Sequence, residues 1–389
     1  MRILHVSPSF YPAWAYGGVP RCAFELCRAL VRAGESVSVW TTDALDQVGR
    51  VARTDAVVDG IQIRYFPNVS NRLAYRHQLY LPRGLLRAVR EQLSQFDLVH
   101  IHSHRHALEW VVSRAARAHK LPYVCTANGT VPPYERFVTV KRVIDVLGMR
   151  SVLQHAAACI AVSSAEVAHY RAAGVVAERI TVIPNGVRLS DYDALPPRGG
   201  FRRRLGIAAE APLVTFVGKI TPRKGVDVLI RAFASLDPDV HLVVAGNFMV
   251  QEARVRALAR ECGVAGRVHF VGLLDGEEKL RAYVDADVVA YPSEREIFGL
   301  VPIEALMCNT AVVVCDDSGC GEVVRAADGG RLVPYGDDRA LAAALRDLLR
   351  DPADRRANVD RGRRYVQTHF GWESIAEQTR RLYQGVVHA

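Results

Sequence analysis

The sequence predicts an α/β protein of two Rossmann-like, doubly wound domains facing across a cleft. Short β-branched runs recur along all 389 residues, helical periodicity follows each run, and the runs are almost continuously apolar instead of alternating. That last feature marks parallel strands covered by helices on both faces. The length favours two domains, each with ample core.

In the first half the strand candidates are residues 2–7, 36–42, 61–66, 97–102, 122–126, 159–164 and 180–185. In the second they are 213–219, 240–247, 267–273, 287–293 and 311–317. A stretch rich in Pro, Gly and charge, 185–204, is the expected linker. The expected organisation is an N-terminal domain over 1–190, a C-terminal domain over 191–369 and a final amphipathic helix over 370–389. That helix would carry Trp372, Ile375 and Leu382 on one face.

Half of the residues are hydrophobic, which suits a soluble globular protein. The opening MRILHVSPSF has no signal-peptide layout, and no run is long enough to span a bilayer, so a cytoplasmic protein is expected. Eight cysteines without a C-x-x-C pair read as reduced packing residues. The net charge of +9 is uneven: residues 1–190 carry 23 Lys and Arg against 13 Asp and Glu, and residues 191–389 carry 27 against 28. The basic half suits an anionic partner or peripheral contact with the inner face of a membrane, although dispersed arginines also serve solubility alone. No nucleic-acid partner is expected.

Ligands of open parallel sheets gather at the carboxyl ends of strands, so the informative residues follow each run. After the first run, YGGVPRCAFELCRAL sets Gly17 and Gly18 before a helix with Pro20 in its first turn. The pair reads either as a phosphate cradle or as an ordinary glycine turn. In VGKITPRKGVDVLIRAF, Lys219 ends a strand and Lys224 precedes a helix, two cations that invite a diphosphate or form a solvated basic turn. Asn247, after VVAG, is another strand-end polar group expected to face a nucleotide. In SEREIFGLVPIEAL, Glu296 would hang from a loop and Glu304 would lie about one turn into the next helix. The amides of Phe298, Gly299 and Leu300 would lack helical partners. Carboxylates accept from paired hydroxyls, so the two glutamates suit a sugar at one end and a ribose at the other.

Other strings compete for attention. HIHSHRH would place His100, His102 and His104 on one strand face, yet no Cys or carboxylate cluster completes a metal set. No metal is expected; His102 would line the cleft and His100 would pack. DAD at 285–287 resembles an acidic metal motif but begins a buried strand. DSGCGEVV at 317–324 lacks the third glycine of a dinucleotide fingerprint, and its Ser318 to Glu322, at a strand end, would help close a ligand pocket. PRGLLRAVREQL sets Arg83, Arg87 and Arg90 opposite Leu86, Val89 and Leu93, either for anionic lipid or as a solvated face. VPPYERFVTVKRVIDVLGMR, with Arg136 and Lys141, combines aromatics and cations after a strand end, where a lipid-phosphate or sugar would dock.

Taken together, the E-x7-E frame after Y-P-S, the G-K-x-x-P-x-K-G segment, the G-G-V-P loop and the D-L-V-H-I-H strand resemble the retaining nucleotide-sugar glycosyltransferases of GT-B fold. That large group includes sucrose synthases and bacterial polysaccharide mannosyl- and glucosyltransferases. The resemblance runs from Arg2 to the last helix. It implies transfer of a sugar from a UDP- or GDP-sugar to a saccharide, lipid-linked or small-molecule acceptor with the anomeric configuration kept, without metal or other cofactor. It gives Glu296 the donor sugar and Glu304 the ribose. Lys219 and Lys224 would meet the departing diphosphate, with amides of Gly17, Gly18 and Phe298 to Leu300 helping. The last helix would cross back to the first domain.

Two departures stand out. Lys219 occupies the usual arginine position, keeping charge but losing the two-bond fork. Asn128, before Gly129, replaces a histidine that contacts the donor sugar; an amide hydrogen-bonds but takes up no proton. A sugar-nucleotide epimerase on the same scaffold and a non-catalytic nucleotide-sugar binding subunit are the rival readings.

Overall fold

A computed structural model describes residues 1–133, 138–247, 251–317 and 319–388. Arg136 and Ser318, both named above, lie outside the described residues. The chain divides into two compact units, Met1–Gly186 with Trp372–Ala389 and Val187–Gly371. The divisions expected after 190 and 369 thus fall at 186 and 371. The reason is local: the Val187 amide donates to the Phe370 carbonyl at 2.7 Å, and Val187 bridges Gly371 in parallel, so both belong to the second unit.

In the first unit the strands are β1 (Arg2–Val6), β2 (Ser36–Thr42), β3 (Asp55–Val58), β4 (Ile61–Phe66), β5 (Leu98–His102), β6 (Tyr123–Thr126), β7 (Ala158–Ala161) and β8 (Ile180–Val182). They form one sheet in the order β3-β4-β2-β1-β5-β6-β7-β8. Every neighbouring pair is parallel except β3 with β4. The antiparallel edge strand β3 is absent from the expectation because it is short and alternates exposed with half-buried positions, which reads as loop. Leu4, Val6, Val99, Ile101, Cys125 and Cys159 are wholly buried in the core around β1, β5, β6 and β7. The eight cysteines are free and seven are buried, consistent with packing roles.

The helix Gly18–Arg32 buries Cys22, Ala23, Leu26, Cys27 and Leu30, a three-to-four spacing that lays one stripe on its neighbours. One neighbour is the last helix, Trp372–Val387, which buries Trp372, Ile375, Ala376, Thr379 and Tyr383. Tyr383 therefore takes the inward position expected for Leu382. Its hydroxyl bonds His100 Nδ1 at 2.5 Å. The helix Leu85–Gln92 also departs from expectation: Leu85, Ala88 and Val89 are buried, whereas Leu86 is 61% exposed. Among the described residues no helix is long and apolar enough to cross a membrane.

The second unit contains β9 (Leu213–Val217), β10 (His241–Ala245), β11 (Val268–Gly272), β12 (Val288–Tyr291), β13 (Ala311–Cys315) and β14 (Gly330–Val333). All pairs are parallel, in the order β11-β10-β9-β12-β13-β14. Edge strand β14 was also absent from the expectation, since GGRLVP is too short to announce itself. The DAD string is structural: Asp285 accepts from the Arg202 amide at 2.8 Å and Asp287 from its guanidinium at 2.8 Å, around a fully buried arginine.

The order in which successive strands are added changes side between β1 and β5 in the first sheet and between β9 and β12 in the second, although both pairs are parallel. Such switch points open a crevice beyond the strand ends. The predicted residues cluster there in each unit.

Candidate functional site

In the second unit, Gly218 and Lys219 follow β9, and a 3-10 turn Pro222–Lys224 leads into the helix Val226–Ala234. Across the switch point, β12 ends at Tyr291, and Pro292 and Ser293 follow it. The two loops are docked backbone to backbone. The Glu294 amide donates to the Arg223 carbonyl at 2.7 Å. Gly225, at φ +65°, lies so close that an added Cβ would sit 2.2 Å from the Pro292 carbonyl oxygen. Only glycine meets both demands.

This docking delivers Lys224 to Glu296. The ammonium forms an ion pair with Glu296 Oε2 and donates to the Tyr291 hydroxyl at 2.6 Å. Tyr291 and Ser293 hydroxyls each donate to the same Oε2 at 3.1 Å. Three donors thus converge on one oxygen, and Oε1 has no hydrogen bond among the described residues. Burial alone would raise this carboxyl, but the Lys224 charge and the three hydrogen bonds outweigh it and hold the group below its ordinary range. Burial and the Glu296 charge push the Tyr291 phenol well up, so it stays a donor.

Glu304 is the fifth residue of the helix Leu300–Met307. Lys279 donates to its Oε1 at 2.8 Å and the buried Tyr283 hydroxyl to its Oε2 at 2.9 Å. The first amides of this helix, from Leu300 on, have no intrahelical partner. Gly299 is its N-cap, and the Cys320 amide donates to the Glu296 carbonyl at 3.0 Å, fixing the loop before it. Phe298 is buried edge-to-face on Phe370 with centroids 5.5 Å apart, so its backbone alone is offered. Lys219 is exposed and makes no ion pair among the described residues. The Asn247 carbonyl accepts from the Ile220 amide at 2.9 Å, which sets this exposed residue beside the Lys219 turn.

In the first unit, Gly17 caps the helix Gly18–Arg32 at φ +106°. Its amide donates to the Trp14 carbonyl at 3.1 Å. This corrects the expectation for the pair: Gly17 closes the turn, and the helix amides without an intrahelical partner begin at Gly18.

Beside that helix lies a small, partly open cavity whose lining includes Cys22, His102, Thr126, Asn128, Asn185 and Trp372. Asn128 adopts φ +50° and accepts from Asn185 Nδ2 at 3.2 Å. Its neighbours are pinned by one helix, Ser164–Ala172. The Ala127 amide donates to the Tyr170 hydroxyl at 2.7 Å, and the Gly129 amide to Glu166 Oε1 at 2.5 Å. Glu166 Oε2 takes the Val162 amide at 2.9 Å. Burial raises this carboxyl to about 7 against those two amides.

His102 ends β5 and is almost wholly buried while lining the cavity. Its Nε2 meets His5 Nδ1 at 2.9 Å, and its ring stacks on His100 at 4.3 Å. His100 is bonded at both nitrogens, to Tyr383 and to Thr126 Oγ1 at 2.7 Å. The ligand nitrogens of His5, His100 and His102 lie within 4.8 Å of one another, but a metal could be held only by breaking these bonds. Burial lowers all three, His102 to about 3, so they are neutral rings in a core network.

The family model for glycosyl transferases group 1 matches residues 198–365, and that for a glycosyl transferase 4-like domain matches 17–186. The D-inositol 3-phosphate glycosyltransferase of Xylanimonas cellulosilytica is 32% identical over 97% of this chain and 94% of its own. The protein of the same name from Kineococcus radiotolerans is 31% identical over 99% and 94%. The chain belongs to the GT-B nucleotide-sugar glycosyltransferases. Among solved structures, Anabaena HepE in complex with UDP and glucose superposes with TM-score 0.79 at 22% identity, covering 99% of this chain and 100% of that one. Sucrose-phosphate synthase from Thermosynechococcus elongatus gives 0.77 at 24%, covering 99% of each.

Of the residues singled out in this glycosyltransferase, Lys224 and Glu296 are in direct contact, with Glu304 on the helix that follows the Glu296 loop. Sequence reasoning missed Lys279, Tyr283, Tyr170, Glu166 and His5 as partners. His5 had a signal, since the parallel register sets it opposite His100, but strand order had to be known to see it. The others come from helices whose facing residues no local pattern names.

Proposed function

We propose that this glycosyltransferase moves a sugar from a UDP- or GDP-sugar to an acceptor hydroxyl with the anomeric configuration retained, and without a metal. The observation that carries the reading is the asymmetric Glu296 carboxylate. Oε2 is saturated by Lys224, Tyr291 and Ser293, while Oε1 is left to accept from a sugar hydroxyl. Lys224 beside it meets negative charge as the bond to diphosphate breaks, and Lys219 and the amides of Gly299 and Leu300 add to that field. Glu304, oriented by Lys279 and Tyr283, takes the ribose hydroxyls. Asn247, Gly18 and Asn128 enter as donor contacts through the family resemblance.

The name of the curated relatives supports a phosphorylated cyclitol among the acceptors, which the basic first unit suits. A panel of UDP- and GDP-sugars, each with and without inositol 3-phosphate, tests the reading by release of nucleoside diphosphate and by the anomeric signal in NMR. Retention in a transferred sugar is the expected result. An epimer formed from donor alone, or donor binding without diphosphate release in any pairing, would overturn it. Donor binding is read separately by thermal stabilisation, about 2.7 kcal/mol at 100 times the dissociation constant.

A further inference from the structure

Within the first unit, the helix Val138–Ile144 buries none of its residues. With the turn Asp145–Met149 it exposes Val140 by 56%, Val143 by 51%, Val146 by 78% and Leu147 by 77%. Four large apolar side chains in eight consecutive residues leave a short helix without the tertiary packing that normally stabilises one.

The exposure is built in. Asp145 is buried and held by Arg105 through two bonds, Nε to Oδ1 at 2.8 Å and Nη2 to Oδ2 at 2.7 Å. On the other side Gly148, at φ +140°, packs so near Trp110 that an added Cβ would lie 3.2 Å from the indole nitrogen. Val146 and Leu147 form the tip between these two anchors. Around the tip, Arg142 and Arg150 are exposed, and exposed Arg114 lies 5.1 Å over the Trp110 ring. The first unit holds 24 Lys and Arg against 15 Asp and Glu, whereas the second holds 26 against 26. All of the net positive charge is therefore on the unit that carries the apolar tip.

We propose that residues 138–150 dock this protein on an anionic phospholipid bilayer, with Val140, Val143, Val146 and Leu147 in the headgroup boundary and Arg114, Arg142 and Arg150 on lipid phosphates. An apolar tip ringed by cations matches the two attractions that hold interfacial segments, buried apolar area and charge. The inference stands apart from the identity of donor and acceptor.

The test is co-sedimentation of the full chain with phosphatidylcholine vesicles, with and without phosphatidylglycerol, for the natural protein, V146D/L147D and R142Q/R150Q. The expected result is salt-sensitive binding to the anionic vesicles alone, weakened at least about tenfold in each variant. Leu147→Trp provides a second readout that does not depend on the double variants folding: its fluorescence shifts to the blue on anionic vesicles. Failure of the natural protein to sediment, or equal sedimentation of V146D/L147D with an unchanged melting temperature, would overturn the proposal. So would a dimer in analytical ultracentrifugation that V146D/L147D dissociates, because a second copy would then cover the tip.

Discussion

The Lys224 ammonium donates to the Tyr291 hydroxyl at 2.6 Å and sits 4.9 Å from the centre of the same ring. The Tyr291 hydroxyl in turn donates a hydrogen bond to Glu296 Oε2, so one buried phenol orients both charged partners. Tyr291→Phe removes both bonds and keeps the ring. The expected cost is about 1 to 3 kcal/mol of stability in a denaturant melt. Donor turnover should fall about tenfold as the lysine loses its fixed position. An unchanged turnover would show that the ion pair orients itself.

Glu296 and Glu304 should separate in steady-state kinetics. Glu296→Gln is expected to lower kcat about 100-fold, because the carboxylate that holds Lys224, and that is proposed to meet the donor sugar, becomes neutral. Glu304→Gln is expected to raise the donor KM about tenfold with kcat little altered, the pattern of lost ground-state binding. Equal effects of the two changes on kcat would contradict these roles.

Gly225→Ala tests the docking of the two loops. A methyl at 2.2 Å from the Pro292 carbonyl oxygen, on a residue at φ +65°, forces the Lys224 turn away from β12. The expected result is a loss of about 1 to 3 kcal/mol in thermal unfolding, with weaker donor binding. A variant that melts like the natural protein would mean the turn has room to shift.

Acid should destabilise the first unit. Burial holds His5, His100 and His102 below their ordinary value of 6.5, His102 at about 3. The unfolded chain therefore binds more protons than the folded one as pH falls below 6.5, and the stability present above that value is lost toward the folded values. Each such ring contributes a slope of up to about 1.4 kcal/mol per pH unit. Glu166 opposes this: raised from 4.5 to about 7, its stabilising share is present below 4.5 and lost as pH rises through 7. Three rings outweigh one carboxyl between 4.5 and 6.5. Urea melts at pH 7 and pH 5 should differ accordingly, and His5→Leu, which deletes the ring with an unpartnered Nε2, should flatten the dependence. A slope indifferent to that change would remove the histidine network as its source.

Local signals carried much of this protein. Near-continuous apolar, β-branched runs such as LVTFV and AVVVC, recurring between helical stretches, read as parallel strands buried on both faces, and that pointed to the fold class. The lysine and glutamate positions were legible because strand ends are where open sheets keep their chemistry. Tertiary structure alone decided the partners. Lys224 and Glu296 are 72 residues apart, and His100 and Tyr383 are 283 apart. Short edge strands β3 and β14, the inward turn of Tyr383 over Leu382, and the pinning of Asn128 through Glu166 and Tyr170 were equally beyond local pattern. A sequence period specifies which face of one element is apolar; which side chains meet across elements depends on strand order and register, set by the packing of the whole unit.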